Sequence, residues 1–261
     1  MLSRLFGRSA RSKAPPSTGG RLVYAVGDVH GRLDALQPLV ADIRADAARH
    51  RGQGPPLLVL LGDYVDRGPE SAGVIELILK LSADPALEVC ALMGNHESAL
   101  LAFLDDPAGA AGWLDHGGGP TLASYGVTPP PSRAGEQGWG EARDALVRAL
   151  PPAHLSFLRG LRLMTVVGDY AFVHAGVRPG APLDRQAAQD LLWIRQPFLE
   201  APGPFEKVIV HGHTPAEEPQ ILPHRLGIDT GAFATGVLTA VRLQGEAQGL
   251  LQAWARRPAA A

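Results

Sequence analysis

The sequence predicts an α/β fold, α+β-like and four-layered, in which two packed mixed β-sheets are flanked by helices. Three observations predict it. Three strand–loop–helix units follow one another in the first half, β-rich runs around short turns occupy the second half, and 46% of the 261 residues are apolar. Helical crossovers join parallel strands, and this apolar share is enough to bury a core on both faces of the sheets.

The first half carries three apolar runs, each followed by a helical pattern. The runs are RLVYAVGD, PLLVLLGD and LEVCALMG. Unbroken apolar runs are typical of strands that are covered on both faces. After the first run, the spacing of Leu33, Leu36, Val40 and Ile43 indicates an amphipathic helix. We therefore expect three parallel strands joined by helices.

The second half changes to β-rich runs. The stretch RLMTVVGDYAFVHAG predicts a hairpin that turns at Gly168–Asp169. KVIVHGHT predicts a buried strand, and GVLTAVRL predicts the last strand of the chain. Before the hairpin, we expect a helix from about Gly140 to Leu150.

Composition divides the chain into a domain and two tails. Residues 1–20 are basic and Ser-rich and are expected to form a disordered tail, and residues 251–261 a C-terminal tail. Residues 21–250 form the predicted domain. Within it, residues 105–160 are rich in Gly and Pro and too long for a plain loop, so we expect a small cap insertion over the site.

Charge and hydropathy exclude several kinds of partner. The formal net charge is −2, which gives no electrostatic basis for binding nucleic acid. No apolar run is long enough to span a bilayer, and the N-terminus lacks the apolar centre of a signal peptide. We expect a cytoplasmic protein, and no sequence feature points to an oligomeric state.

Polar side chains cluster where the predicted strands end. Because the carboxyl ends of strands in an open α/β sheet share one edge, these groups are expected to converge. Oxygen and imidazole ligands suit divalent manganese, iron or zinc, and a structural zinc site fits poorly because no cysteine takes part. The strand-end segments are GDVHG from Gly27, GDYVDRG from Gly62, GNHE from Gly94, HAG from His174 and GHT from Gly212.

This ordered set of motifs resembles the calcineurin-like metallophosphoesterases, over roughly residues 21–243. Within that family it is similar to the phosphoprotein phosphatase branch, in particular to bacterial and phage serine/threonine phosphatases of the lambda-phosphatase type. The resemblance implies the calcineurin-like fold and two divalent metal ions, with manganese expected and iron or zinc as alternatives. It also implies a metal-activated hydroxide that attacks the phosphorus in line.

The resemblance assigns the metal ligands position by position. Asp28 and His30 would hold the first ion, and Asp63 would bridge both ions. The second ion would be held by Asn95, His174 and His213. His211 and His213 are expected on one face of their strand. The family places its ligand directly after the glycine, which selects His213 and leaves His211 a structural residue.

The resemblance also assigns the groups that handle the phosphoryl group. Arg67 and Arg195, the latter in the stretch WIR, would bind its oxygens together with Asn95. His96 would protonate the leaving oxygen, and Asp66 would orient its imidazole. The stretch IDTGA, residues 228–232, is interpreted as a structural turn near the site.

Four histidines are not assigned to the site, and two aromatic residues have two possible roles. Surface positions are expected for the four histidines that match no motif, His50, His116, His154 and His224. Trp113 and Tyr125 could stack on an adenine or form the core of the cap insertion, and we favour the core.

Two activities and one inactive alternative follow from the resemblance. The leading expectation is a serine/threonine protein phosphatase acting on a phosphorylated protein or a small phosphoester. The alternative is a symmetrical bis(5'-nucleosyl)-tetraphosphatase, a relative that typically lacks the acid at Asp66. A non-catalytic metal-binding scaffold is disfavoured because every expected ligand, both arginines and His96 are retained.

Overall fold

Two five-stranded sheets form the centre of the computed structural model of the chain. The structure describes residues 15–50, 52–131 and 133–255, without the side chains at 109–111. Among these residues, no helix is long and apolar enough to cross a membrane. The first sheet has the order β10-β9-β1-β2-β3 and the second the order β4-β5-β6-β8-β7.

The first sheet contains the three predicted parallel strands. They are β1 (Leu22–Val26), β2 (Leu57–Leu60) and β3 (Glu88–Ala91). The helices α1 (Leu33–Arg49) and α2 (Ser71–Ser82) connect them. Val23 pairs with Leu57, and Leu57 pairs with Glu88, in parallel register. The strand–helix prediction for the first half is therefore confirmed.

The apolar runs are continuous because both faces of the first sheet are buried. Tyr24 and Leu58 face the helices α1 and α2. The alternate residues, such as Val23 and Val59, pack against Phe172 of the second sheet. Alternation along a strand thus places successive apolar residues into two different cores.

The second sheet contains the predicted hairpin and the KVIV strand. The hairpin consists of β4 (Met164–Val167) and β5 (Tyr170–Val173), and β6 (Val208–His211) runs parallel to β5. Two short strands, β7 (Gln220–Ile221) and β8 (Arg225–Gly227), complete the sheet. On its outer face lie the short helices α8 (Ala188–Trp193) and α9 (Gln196–Leu199), so the layers are helix, sheet, sheet, helix.

The segment between β3 and β4 is mostly helical. It begins with α3 (Asn95–Asp105) and a 3₁₀ turn (Pro107–Gly109). Then come α4 (Ala110–Trp113), a π turn (Leu114–Gly118) and α5 (Gly119–Ser124). The last two helices are α6 (Gly135–Ala149) and α7 (Pro152–Arg159). The helix expected from Gly140 thus begins five residues earlier.

The predictions for both ends of the chain need correction. The run GVLTAVRL lies in β9 (Val237–Gln244) but is not the last strand, because β10 (Ala247–Trp254) pairs antiparallel with it. The predicted C-terminal tail from 251 is therefore sheet as far as Trp254. Of the predicted N-terminal tail, residues 1–14 lie outside the described residues. Thr18, by contrast, is buried and donates its backbone N–H to Gly245 at 3.3 Å.

Candidate metal centre and active site

The carboxyl ends of five strands bring the predicted polar residues to one place. β1, β2 and β3 are parallel and in register, so the segments that follow them leave the sheet at the same edge. The segments after β5 and β6 reach the same place from the second sheet. There they bring His174 and His213 against the side chain of Asn95.

Asp63 lies at the centre of this cluster. One carboxylate oxygen is 3.4 Å from Nε2 of His30, and the other is 3.4 Å from Nε2 of His174. On the second side, Oδ1 of Asn95 is 2.8 Å from both Nε2 of His174 and Nδ1 of His213. The two oxygens of one buried carboxylate thus face two separate sets of ligand atoms.

The hydrogen bonds of the histidines fit a role as metal ligands. Nδ1 of His30 lies 2.9 Å from the carbonyl of Val65, and Nδ1 of His174 lies 2.9 Å from that of Leu61. A carbonyl only accepts, so these nitrogens carry the protons and each Nε2 presents a lone pair to the cluster. Metal-binding histidines usually donate their other ring nitrogen in this way.

The protonation states of the histidines fit the same role. Burial is the largest cause in each case. It lowers the pKa of His30, and it lowers the pKa of His174 to about 4 and that of His213 to about 2. The rings are thus neutral at neutral pH, as metal ligation requires. Nε2 of His213 is buried and has no hydrogen-bond partner among the described residues. The donor set of imidazoles, carboxylates and an amide oxygen therefore fits divalent metal ions.

Asp28 is placed beside the cluster. Its carboxylate accepts the backbone N–H of His213 at 3.0 and 3.2 Å. It does not belong to either group of closely spaced ligand atoms found among the described residues, which are His30, Asp63 and His96, and Asp63, His174 and His213. Burial raises the pKa of Asp28, and the charges of Asp229 and Asp63 raise it further. A cation beside these carboxylates would relieve their repulsion.

Asp229 is a site residue that the sequence interpretation missed. It lies in the IDTGA stretch, is buried, and accepts the backbone N–H of Gly231 at 2.8 Å. Burial raises its pKa to about 6, and the charge of Asp63 adds to the rise. Its signal is its position two residues after β8, the same offset at which Asp28 follows β1.

Glu97 is a second missed residue, although its motif was recognised. Its buried carboxylate accepts the backbone N–H groups of Asp63, Tyr64 and Gly94 at 2.7–2.9 Å. Burial, with the charge of Asp63, raises its pKa to about 7. Glu97 therefore fixes the loop that carries Asp63, a function that only the tertiary structure reveals.

Backbone strain is concentrated in the site. Five non-glycine residues among those described have a left-handed φ between 47° and 72°. Such residues are uncommon, and they cluster at functional sites, where surrounding contacts hold them in place. All five are predicted site residues: His30, Asp63, Asp66, Arg67 and His213.

Two glycines allow the close approach of the carboxylates. A side chain at Gly94 would collide with the carboxylate of Asp63, and one at Gly212 would collide with that of Asp28. The glycines that precede Asn95 and His213 are thus required by space.

The two predicted arginines lie on the wall of one cavity. Arg67 directs one nitrogen to Nε2 of His30 and another to Nε2 of His96, both at 3.0 Å, and its guanidinium stacks on Phe233. Arg195 is exposed and lies 3.4 Å from the hydroxyl of Thr214. The cavity has a volume of about 560 Å³ and also contains Asp63, Asn95 and His96.

His96 is paired with Asp66, as the resemblance implied. Nδ1 of His96 lies 2.7 Å from a carboxylate oxygen of Asp66, and both side chains are buried. Burial disfavours the charged imidazole, but the hydrogen bond to Asp66 and the charge of Asp63 outweigh it, so the pKa of His96 lies above its ordinary value. Its Nε2 lies 3.0 Å from a nitrogen of Arg67 at the wall of the cavity.

The structure separates His211 from His213. β6 ends at His211, so the two residues do not share a strand face as expected. His211 instead packs edge-on against Phe198, and its pKa falls to about 3 because it is buried.

The surface prediction fails for one of the remaining histidines. His154 is buried, with its ring nitrogens 2.9 Å from the hydroxyl of Tyr125 and 3.3 Å from Glu76. His116 is exposed and lines the cavity.

The two aromatic residues of the insertion pack in its core. Trp113 is buried and stacks on Phe103, and Tyr125 lies edge-on to His154. Trp113 also lines the cavity. Two further aromatic residues that the sequence interpretation did not place there, Trp193 and Phe233, line it with partly exposed side chains.

Comparison with known proteins identifies relatives along most of the chain. A family model described as calcineurin-like phosphoesterase matches residues 22–232. The asymmetrical bis(5'-nucleosyl)-tetraphosphatase PrpE of Bacillus mycoides (strain KBAB4) is 28% identical over 235 residues, which are 83% of this chain and 88% of the relative. The symmetrical bis(5'-nucleosyl)-tetraphosphatase of Aromatoleum aromaticum (strain DSM 19018 / LMG 30748 / EbN1) is 33% identical over 158 residues, but these are 60% of this chain and only 45% of that relative.

The solved structures agree on the architecture. A crystal structure provisionally named a diadenosine tetraphosphatase superposes with a TM-score of 0.62 at 21% identity. The superposition covers 90% of this chain and 95% of the other. At this identity the likeness shows the fold alone.

Proposed function

The chain belongs to the calcineurin-like phosphoesterase family, and on that premise we propose that it is a metal-dependent hydrolase of dinucleoside tetraphosphates. The predicted fold of two mixed sheets flanked by helices is confirmed, and the chain is a phosphoesterase. The serine/threonine phosphatase that the motifs favoured becomes the second candidate, because curated relatives along most of the chain are named as tetraphosphatases.

The observation that carries this proposal is the composition of the cavity. Three of the proposed ligands line it, Asp63, Asn95 and His213, together with both arginines. Two partly exposed aromatic side chains, Trp193 and Phe233, line it as well. Its volume of about 560 Å³ falls in the range of pockets that bury whole small molecules, well above the need of a single phosphate. A polyphosphate that carries nucleosides supplies both the charge and the flat apolar groups that these walls accommodate.

The residues that would hold two divalent ions divide around Asp63. His30 and Asp28 would serve one side, and Asn95, His174 and His213 would serve the other. Manganese is the ion we propose, and the donor set also accommodates iron or zinc. When bound, such ions activate a water molecule and stabilise the charge of the phosphoryl oxygens.

The remaining side chains bind the phosphoryl group and move a proton. Arg67 and Arg195 lie on the cavity wall, where two guanidinium groups can hold phosphate oxygens by paired hydrogen bonds. Asn95 also lines the cavity. Asp66 holds Nδ1 of His96, and Nε2 accepts from Arg67 at 3.0 Å. Once Arg67 turns to the phosphoryl group, Nε2 can give a proton to the leaving oxygen.

The Asp66–His96 hydrogen bond is the observation that favours the second candidate. An alkoxide leaving from phosphoserine needs a proton from an acid more than a nucleotide does, because a phosphate anion is a better leaving group. A serine/threonine phosphatase would therefore gain more from this pair, which is short and fully buried.

A comparison of two substrates tests the proposal. With the same manganese concentration, kcat/KM for diadenosine tetraphosphate should exceed that for a phosphoserine peptide by more than about tenfold, which is roughly 1.4 kcal/mol in transition-state binding. The products show where the chain is cut. AMP and ATP indicate asymmetrical cleavage, which the longer alignment favours, and two ADP molecules indicate symmetrical cleavage. A preference for the peptide of the same size would replace the proposal with the second candidate.

A further inference from the structure

We propose that Trp113 and Thr121, two residues of the insertion after α3, are positioning residues for the Asp66–His96 pair. The inference rests on the proposed role of His96 as the acid, and it adds residues that no sequence motif contains. Both side chains donate hydrogen bonds to the same buried carboxylate.

The carboxylate of Asp66 receives three side-chain hydrogen bonds. One oxygen lies 2.7 Å from Nδ1 of His96 and 2.8 Å from Nε1 of Trp113. The other oxygen lies 2.6 Å from the hydroxyl of Thr121. Asp66 is 0% exposed, so water does not compete with these donors. The insertion thus supplies two of the three donors that fix the plane of this carboxylate.

The donor directions follow from the chemistry of the groups. Indole N–H only donates, and a carboxylate only accepts, so Trp113 gives its proton to Asp66. The hydroxyl of Thr121 gives its single proton to Asp66 and accepts the backbone N–H of Asp66 at 2.8 Å. Thr121 therefore bridges the backbone and the side chain of the same residue, which leaves Asp66 little freedom to rotate.

The backbone of the insertion holds the same turn. Asp66 and Arg67 are left-handed, with φ of 72° and 66°. The N–H of Arg67 donates to the carbonyl of Gly117 at 3.0 Å. Gly117 itself has φ 110°, and a side chain there would meet the backbone of Arg67 within 2.9 Å. Residues 113–121 thus wrap over the strained turn and contact it at three points.

This arrangement predicts a defect that depends on the leaving group. If the carboxylate of Asp66 rotates, the imidazole of His96 is no longer oriented towards the leaving oxygen. When the P–O bond breaks, that oxygen then leaves without receiving a proton from His96. Phenyl phosphate needs this proton more than p-nitrophenyl phosphate, whose phenolate is already stabilised. Both are small aryl esters, so the comparison does not depend on the preference for dinucleotides.

The test uses Trp113→Phe and Thr121→Val, measured with both esters. We expect kcat on phenyl phosphate to fall about tenfold, a part of the 10²–10⁴-fold that general acid catalysis provides. The loss on p-nitrophenyl phosphate should be under about threefold, and KM should change little. Thr121→Ser keeps the hydroxyl and should restore most of the rate.

Two controls separate positioning from general damage. Trp139 is also partly buried in the insertion, and its indole nitrogen has no partner among the described residues, so Trp139→Phe should not discriminate between the esters. In the His96→Asn background, Trp113→Phe should add no further loss, because the group through which it acts is gone.

Two results overturn the inference in distinguishable ways. If His96→Asn discriminates between the esters but Trp113→Phe and Thr121→Val do not, the insertion does not position the pair. If His96→Asn itself loses the same factor on both esters, His96 is not the acid, and the inference fails together with that role. Should Trp113→Phe fail to fold, the Thr121→Val and Thr121→Ser pair decides.

Discussion

Asp63→Asn should release most of the bound metal and abolish most of the phosphoesterase activity. The substitution removes one negative charge from the residue whose two oxygens face His30 and His174 at 3.4 Å each. Loss of a residue that merely supports a metal ligand typically costs about 10–100-fold in affinity or activity, so loss of the shared ligand should exceed that range. The measurement is metal content per chain after gel filtration, together with kcat/KM on p-nitrophenyl phosphate.

A matched control for this substitution is Asp46→Asn. Asp46 is also a buried carboxylate, but it is bonded to Tyr24 and Arg242, away from the cluster. That variant should lose stability and keep its metal. If Asp63→Asn retained full metal content and activity, Asp63 would not be a ligand of the centre.

His96→Asn should slow turnover by roughly 10²–10⁴-fold while the metals stay bound. Asparagine retains a polar group of similar reach but cannot release a proton to the leaving oxygen. Its backbone N–H, which donates to Asp63 at 3.1 Å, is unchanged, so the metal ligand is not disturbed. The measurement is kcat on phenyl and p-nitrophenyl phosphate, with metal content determined on the same samples.

His154→Asn is the control for a buried histidine outside the site. His154 is bonded to Tyr125 and Glu76 and has no contact with the cavity. It should affect stability and leave the ratio between the two esters unchanged. Loss of metal from His96→Asn would instead place His96 among the ligands, beside His30 and Asp63.

The parallel strands could be predicted because both of their faces are buried. β1 and β2 consist of unbroken apolar residues that end at Gly-Asp, which marks both the strand and its end. β10 was not predicted because it is an edge strand whose apolar residues are not consistently buried. Leu250 is 50% exposed, and Trp254 is 65% exposed. Its signal was the two-residue loop after Gln244 that begins with Gly245.

The site residues that could be predicted are those in the short segments directly after the strands. The ligands are local to each strand, so their motifs are visible in short stretches. Glu97, by contrast, acts on a loop more than 30 residues earlier in the chain, and Trp113 acts on Asp66 from 47 residues away. Such contacts depend on the packing of separate helices, which no spacing in the sequence records. The buried position of His154 has the same origin.

The substrate was the least predictable feature. Asp66 and His96 act on the leaving oxygen, so they bear on how good the leaving group is and carry no information about the rest of the substrate. Trp193 and Phe233 are the side chains proposed to contact the nucleoside part of the substrate. They come from separate parts of the chain and are brought together only at the cavity.

Asp63 is proposed to bridge two metal ions, and anomalous diffraction from manganese-loaded crystals can locate both of them. We predict two anomalous peaks, one on the side of His30 and one on the side of His174, Asn95 and His213, with a carboxylate oxygen of Asp63 turned to each. A single peak, or two peaks that do not share Asp63, would contradict the claim.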